Sequence, residues 1–117
     1  VPLTHRDHTS IVTFVTGHDT DAIDWKRTCV SGTVVIFMGL RRLATIADNL
    51  ILAGRPVEEG AAVASRVSLG DACVRTGTLG TIARRAEGMA TPAVVIVGDV
   101  ALHHDRLRSL ATRTLVD

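Results

Sequence analysis

Three short runs of apolar residues constrain the fold more than any other feature of the sequence. They are residues 11–16 (IVTFVT), 33–38 (TVVIFM) and 93–97 (AVVIV), and each run stops at a glycine. Each has the length of a β-strand, and an apolar run without polar alternation is typical of a strand buried within a sheet. The longest apolar stretch, residues 33–40, is far shorter than the roughly 20 residues of a membrane-spanning helix. The sequence therefore predicts buried strands and excludes a membrane span.

The residues between these runs predict helices and further strands. Residues 41–53 have apolar side chains at helical spacing on one face, and Gly54 ends this helix. Residues 17–32 follow no regular period and are interpreted as a mobile surface connection. The other predicted elements are strands over 61–67 and 73–78 joined by a turn at 68–71, and helices over 79–86 and 103–115. The order β-β-α-β-β-α-β-α predicts an α/β fold with helices packed on a mixed sheet.

The composition limits the class of partner. The 117 residues are about the size of one ordinary domain, so residues 1–117 are predicted to form a single domain. Thirteen basic and 12 acidic side chains leave a formal charge of +1, and only 3% of residues are aromatic, which argues against nucleic acid. Cys29 and Cys73 stand 44 positions apart without metal-binding spacing, so neither a disulfide framework nor a zinc site is expected. A cytoplasmic location fits this use of cysteine.

Residues 4–8 (THRDH) form the densest polar cluster of the sequence. Arg6 is a candidate for binding an anion, because a planar guanidinium donates two parallel hydrogen bonds to a carboxylate. The alternative is a solvated loop in which an Arg–Asp pair contributes little. A metal site would need a third ligand far along the chain from His5 and His8.

Glycines also mark the predicted ends of strands, where ligands bind in α/β sheets. These ends carry residues 17–18 (GH), Gly39 and residues 98–99 (GD), so a site is expected along one edge of the sheet. Met38, beside Gly39, would offer a polarizable surface to a ligand. The alternative is that Met38 fills the core and that Gly39 makes a turn.

Six segments together carry a family resemblance. They are VPLTHRDH (1–8), SIVTFVTGH (10–18), VVIFMGL (34–40), AGRP (53–56), RTGTLGTIA (75–83) and PAVVIVGDVALHHDRL (92–107). In this order and spacing they resemble the C-terminal half of the uroporphyrinogen-III C-methyltransferases, which are members of the tetrapyrrole methylase family. The resemblance covers essentially the whole chain.

The resemblance implies an enzyme that uses S-adenosyl-L-methionine to methylate uroporphyrinogen III twice. The product would be precorrin-2, on the route to sirohaem and cobalamin, and the enzyme would be a homodimer. The family's glycine-rich cofactor loop and acid–base residues belong to an N-terminal domain, so no catalytic residue is assigned here and these residues alone are expected to be inactive. The chain begins at Val1 without a methionine or a signal peptide, which fits the interior of a longer protein.

The resemblance also implies roles for individual residues. Met38, Val67 and Ala93 would contact the cofactor, and Arg6 and Met38 would contact the tetrapyrrole. The family usually has glycine at the position of Val67, so only a contact through the backbone would survive there. Two alternatives stay open: a stand-alone α/β module for binding or dimerisation without catalysis, and a sister methylase that acts on a later corrin carbon.

Overall fold

The computed structural model describes Leu3, residues 11–29 and residues 31–102. In these residues five strands form one sheet in the order β1-β2-β5-β3-β4. The strands are β1 (Val12–Thr16), β2 (Thr33–Phe37), β3 (Gly60–Ser65), β4 (Cys73–Thr78) and β5 (Ala93–Val97). β1 and β2 are parallel, whereas β5 is antiparallel to both β2 and β3, and β4 is antiparallel to β3. The predicted fold class, helices on a mixed sheet, is confirmed.

The three central strands are buried because both faces of the sheet are covered near its centre. Val34 and Ile36 of β2, with Val95 of β5, belong to the main core on the helical face. Ala62 of β3 and Ile96 of β5 pack on the opposite face in a smaller cluster. Burial on both faces removes any need for polar residues at alternate positions, which explains the continuous apolar runs in the sequence.

The helical face carries α1 (Trp25–Thr28), α2 (Leu43–Leu52) and α3 (Ile82–Arg85). α2 lies within the predicted helix and follows a 3-10 turn at Leu40–Arg42. α3 is shorter than predicted, because residues 78–81 close a turn in which the Thr81 N–H donates to the Thr78 carbonyl. The predicted helix over 103–115 lies outside the described residues. No helix in the described part of the chain is long and apolar enough to cross a bilayer.

The interpretation of residues 17–32 as a mobile surface connection was wrong. Trp25 and Cys29 are 8% and 0% exposed and belong to the main core, and the Trp25 indole N–H donates to the Thr20 carbonyl at 3.1 Å. Arg55, only 4% exposed, donates to the carbonyls of Cys29 and Gly32 at 2.9 and 2.6 Å. A one-turn helix is too short to produce a recognisable period, so the sequence pattern missed it.

The buried positive charge of Arg55 is paired with the carboxylate of Glu59. Its guanidinium donates to both carboxylate oxygens of Glu59 at 2.7 and 2.8 Å. A buried charge is tolerated when it is paired and hydrogen-bonded. Arg55 therefore fastens the segment around α1 to the chain that follows α2.

The grouping of residues 98–99 with the other strand ends was also wrong. β5 runs antiparallel to β2, and Val97 pairs with Val34 near the start of β2. The carboxyl end of β5 therefore lies at the opposite edge of the sheet. There the Asp99 side chain accepts from the Gly60 N–H at 3.1 Å, at the beginning of β3. Apolar runs carry no information about strand direction, and this made the prediction fail.

Candidate functional site

Two glycines bring the ends of β1 and β2 into direct contact. A Cβ atom added to Gly17 would lie 2.6 Å from the Cα of Gly39, and the Gly17 N–H donates to the Phe37 carbonyl at 2.6 Å. A Cβ added to Gly39 would lie 2.7 Å from Cγ2 of Ile36. Only glycine fits this close approach without displacement of the backbone. The contact fixes the loops that carry His18 and Met38 side by side.

Met38 lies at this edge in an unusual conformation. Its φ angle is 56°, in the left-handed region that non-glycine residues seldom adopt. Its side chain is 66% exposed, so the alternative that Met38 fills the core does not hold. The left-handed residue ends β2 and leaves an apolar, polarizable side chain at the rim of the sheet.

A pocket of about 560 Å³ opens beside Met38. Its volume lies within the range of pockets that bind small molecules and cofactors. Its lining is apolar except for Thr91 and two titratable side chains, His18 and Arg41. The complete lining is His18, Phe37, Met38, Leu40, Arg41, Thr91, Pro92, Ala93 and Val94.

Strand direction explains this lining. Phe37 at the end of β2 pairs with Val94 near the start of β5, because the two strands are antiparallel. The segment before β5 therefore meets the segment after β2. The Thr91–Pro92 peptide bond, immediately before β5, is cis. One wall of the pocket comes from the end of β2, and the facing wall comes from the beginning of β5.

The loop from β3 to β4 is fastened to the second wall by Arg66. The backbone N–H of Arg66 donates to the Pro92 carbonyl at 2.7 Å, and its Nη1 donates to the Thr91 carbonyl at 3.2 Å. Its Nε lies 2.9 Å from both carboxylate oxygens of Asp71. Arg66 and Ser68 both have positive φ angles, 52° and 70°. This pair of ionic groups holds a tight loop that contains two left-handed residues.

Comparisons with known proteins show which proteins this chain is similar to. No protein-family model matches the chain. The siroheme synthase of Sodalis glossinidius is 42% identical over 110 residues, which cover 90% of this chain and 23% of that protein. A protein of Methanosarcina barkeri named S-adenosyl-L-methionine-dependent uroporphyrinogen III methyltransferase is 39% identical over 115 residues, covering 92% of this chain and 45% of that relative.

Solved structures agree with these relatives. The uroporphyrin-III C-methyltransferase of Thermus thermophilus superposes with a TM-score of 0.79 at 30% identity, over 92% of this chain and 46% of that one. Over the part of these relatives that it spans, the chain is similar to the uroporphyrinogen III methyltransferases. A second structure of the Thermus enzyme, complexed with S-adenosylhomocysteine, superposes with a TM-score of 0.75 at 28% identity over 85% of this chain and 46% of that one. The chain spans between about a quarter and just under half of the length of these relatives.

The predicted site residues within the described part of the chain fall at one edge of the sheet, but not all in one place. Met38 and Ala93 line the same pocket from opposite walls. Val67 is 59% exposed and follows Arg66 in the β3–β4 loop at the same edge, but it does not line the pocket. Arg6 lies outside the described residues.

Sequence reasoning did not assign Arg41 or Arg66 to the site. Arg41 is the first residue of the predicted helix and two positions after Gly39, which is a signal that the sequence offered. Arg66 was placed inside a predicted strand, and nothing in the apolar pattern distinguished it. No group of three or more His, Cys, Asp or Glu side chains suited to a metal ion occurs in the described part of the chain.

Proposed function

We propose that this chain is the C-terminal part of an S-adenosyl-L-methionine-dependent methyltransferase that converts uroporphyrinogen III into precorrin-2, on the route to sirohaem and cobalamin. The observation that carries the proposal is the 39% identity over 115 residues with the Methanosarcina protein of that name. The siroheme synthase relative favours the same pathway.

S-adenosyl-L-methionine is the methyl donor in this proposal. Met38 and Ala93 would hold it in the pocket between the end of β2 and the beginning of β5, and Val67 would contribute a backbone contact from the β3–β4 loop. The volume of about 560 Å³ and the mostly apolar lining fit a ligand of this kind. When bound, the cofactor supplies an electrophilic methyl group.

Arg6 and Met38 are proposed to contact the tetrapyrrole. Uroporphyrinogen III carries acetate and propionate groups, and an arginine guanidinium can bind such carboxylates through two parallel hydrogen bonds. Methyl transfer to a pyrrole carbon is an in-line displacement, so this part of the protein acts mainly by alignment. Correct positioning of two reactants can lower a barrier by about 7–11 kcal/mol in favourable cases.

Four further expectations remain proposals. Residues 1–117 form one domain. An N-terminal domain supplies the glycine-rich cofactor loop and the acid–base residues. The enzyme is a homodimer. It works in the cytoplasm, a location with which the free Cys29 and Cys73 thiols are compatible.

The test is methyl transfer by the complete gene product. The protein is incubated with uroporphyrinogen III and S-adenosyl-L-methionine whose methyl group carries an isotope label, and the product is analysed by mass spectrometry. The proposal predicts two labelled methyl groups on the product and their loss without the protein. Methylation of a later corrin intermediate but not of uroporphyrinogen III would replace this proposal with a sister methylase. Binding without any transfer would favour a non-catalytic module.

A further inference from the structure

The pocket beside Met38 adjoins a second pocket at Arg41. The second pocket has a volume of about 540 Å³ and lies between the 3-10 turn Leu40–Arg42, α3 and the segment before β5. Leu40, Arg41 and Thr91 line both pockets. No other lysine or arginine of the described residues lines either one. A ligand that extends from the first pocket into the second must therefore pass a single permanent positive charge.

Arg41 differs from the arginines that support the fold. Arg55, Arg66, Arg75 and Arg85 all donate hydrogen bonds to carboxylates or backbone carbonyls. Arg41 is exposed and makes no ion pair or side-chain hydrogen bond within the described part of the chain. Its backbone is nevertheless fixed, because it lies within the 3-10 turn Leu40–Arg42, where the Arg42 N–H donates to the Gly39 carbonyl at 3.1 Å.

The surroundings of Arg41 leave its guanidinium available to a ligand. Glu87 lines the second pocket, but no ion pair joins it to Arg41. The rest of that pocket consists of apolar side chains, backbone and Thr91. A guanidinium with five N–H donors and no partner among the described residues, between a mostly apolar pocket and a pocket of mixed polarity, is suited to a carboxylate.

We propose that Arg41 binds a carboxylate group of a bound ligand at the junction of the two pockets. This inference rests on the proposed function, which supplies two sources of the carboxylate. One is the amino-acid end of S-adenosyl-L-methionine, and the other is an acetate or propionate arm of the tetrapyrrole. With either source, Arg41 adds to the site a cation that the family resemblance does not assign.

Two variants and a neighbouring control test the inference in the complete protein. Arg41→Gln removes the charge, Arg41→Lys keeps the charge without the planar donor pair, and Arg42→Gln removes an adjacent exposed charge that lines neither pocket. The Kd for S-adenosylhomocysteine is measured by calorimetry, and the KM for uroporphyrinogen III is measured at saturating S-adenosyl-L-methionine. Thermal unfolding of each variant shows whether the fold is retained.

Arg41→Gln is expected to raise the Kd or the KM by about tenfold or more, which is the effect of losing one hydrogen bond to a charged group. Arg41→Lys should recover part of the loss, and Arg42→Gln should stay within about twofold of the wild type. A change in the Kd identifies the cofactor as the source of the carboxylate, and a change confined to the KM identifies the tetrapyrrole.

Two results would overturn the inference while leaving the proposed function intact. They are an active Arg41→Gln variant with both constants unchanged, and equal losses in the Arg41→Gln and Arg42→Gln variants. Failure of the wild-type protein to transfer a methyl group to uroporphyrinogen III would overturn the proposed function and this inference together.

Discussion

Replacing Gly17 by alanine tests how tightly the two loops at the pocket edge are packed. The new Cβ would lie 2.6 Å from the Cα of Gly39 and 2.9 Å from Cδ1 of Ile46. Extra methyl groups in a packed core cost about 1–3 kcal/mol. The nearest atom here is backbone, which cannot rotate away as the end of a side chain can. We therefore expect the free energy of unfolding to fall by about 3 kcal/mol, which corresponds to about 12 °C or more in Tm for a domain of this size.

The assay is urea unfolding of the chain, followed by fluorescence of Trp25, its single tryptophan. Gly70→Ala is the matched control, because a Cβ there meets no atom within 4 Å and its φ lies outside the left-handed region. Gly70→Ala should leave stability unchanged or raise it by up to about 1 kcal/mol through the unfolded state. The reasoning is refuted if Gly17→Ala costs less than about 1 kcal/mol, or if the two substitutions cost the same.

Three further predictions concern the ion pairs and the pocket wall. Arg55→Ala should lower the free energy of unfolding by about 3–5 kcal/mol in urea, because it leaves Glu59 and two carbonyls without their buried partner; a loss below about 1 kcal/mol would contradict this. Asp71→Asn should cost less than about 1 kcal/mol, since the Asp71 side chain is 66% exposed, and a larger loss would mean that Arg66 supports more than the loop. Met38→Ala should change stability by no more than about 0.5 kcal/mol but weaken binding of S-adenosylhomocysteine to the complete protein by about tenfold or more; unchanged binding would remove Met38 from the cofactor site.

The strands and the main helix could be predicted because their signals are local. β2 and β5 appear as unbroken apolar runs since both faces of the sheet are covered at its centre, and α2 presents its apolar face at helical spacing. The direction of β5 could not be predicted, because an apolar run reads alike in both directions. The burial of Trp25 could not be predicted either. It depends on contacts with residues distant in the chain, and α1 has only four residues, too few to show a helical spacing of apolar side chains.

Part of the candidate site was also predictable from a local signal. The glycine after β2 pointed to Met38, Ala93 was assigned only from the family resemblance, and the antiparallel register brings these two residues to one pocket. The carboxylate partners of Arg55 and Arg66 lie close to them in the chain, but the carbonyls that their side chains bind lie 23 to 26 residues away. Those carbonyls are brought to the arginines by tertiary structure, so no local pattern identifies them.

The central claim is that the pocket between the end of β2 and the beginning of β5 receives the methyl donor. A crystal structure of the complete protein with S-adenosylhomocysteine tests this claim most directly. The ligand is expected to contact Met38 and Ala93 in that pocket. Ligand bound at another edge of the sheet, with the Met38 pocket filled only by solvent, would contradict it.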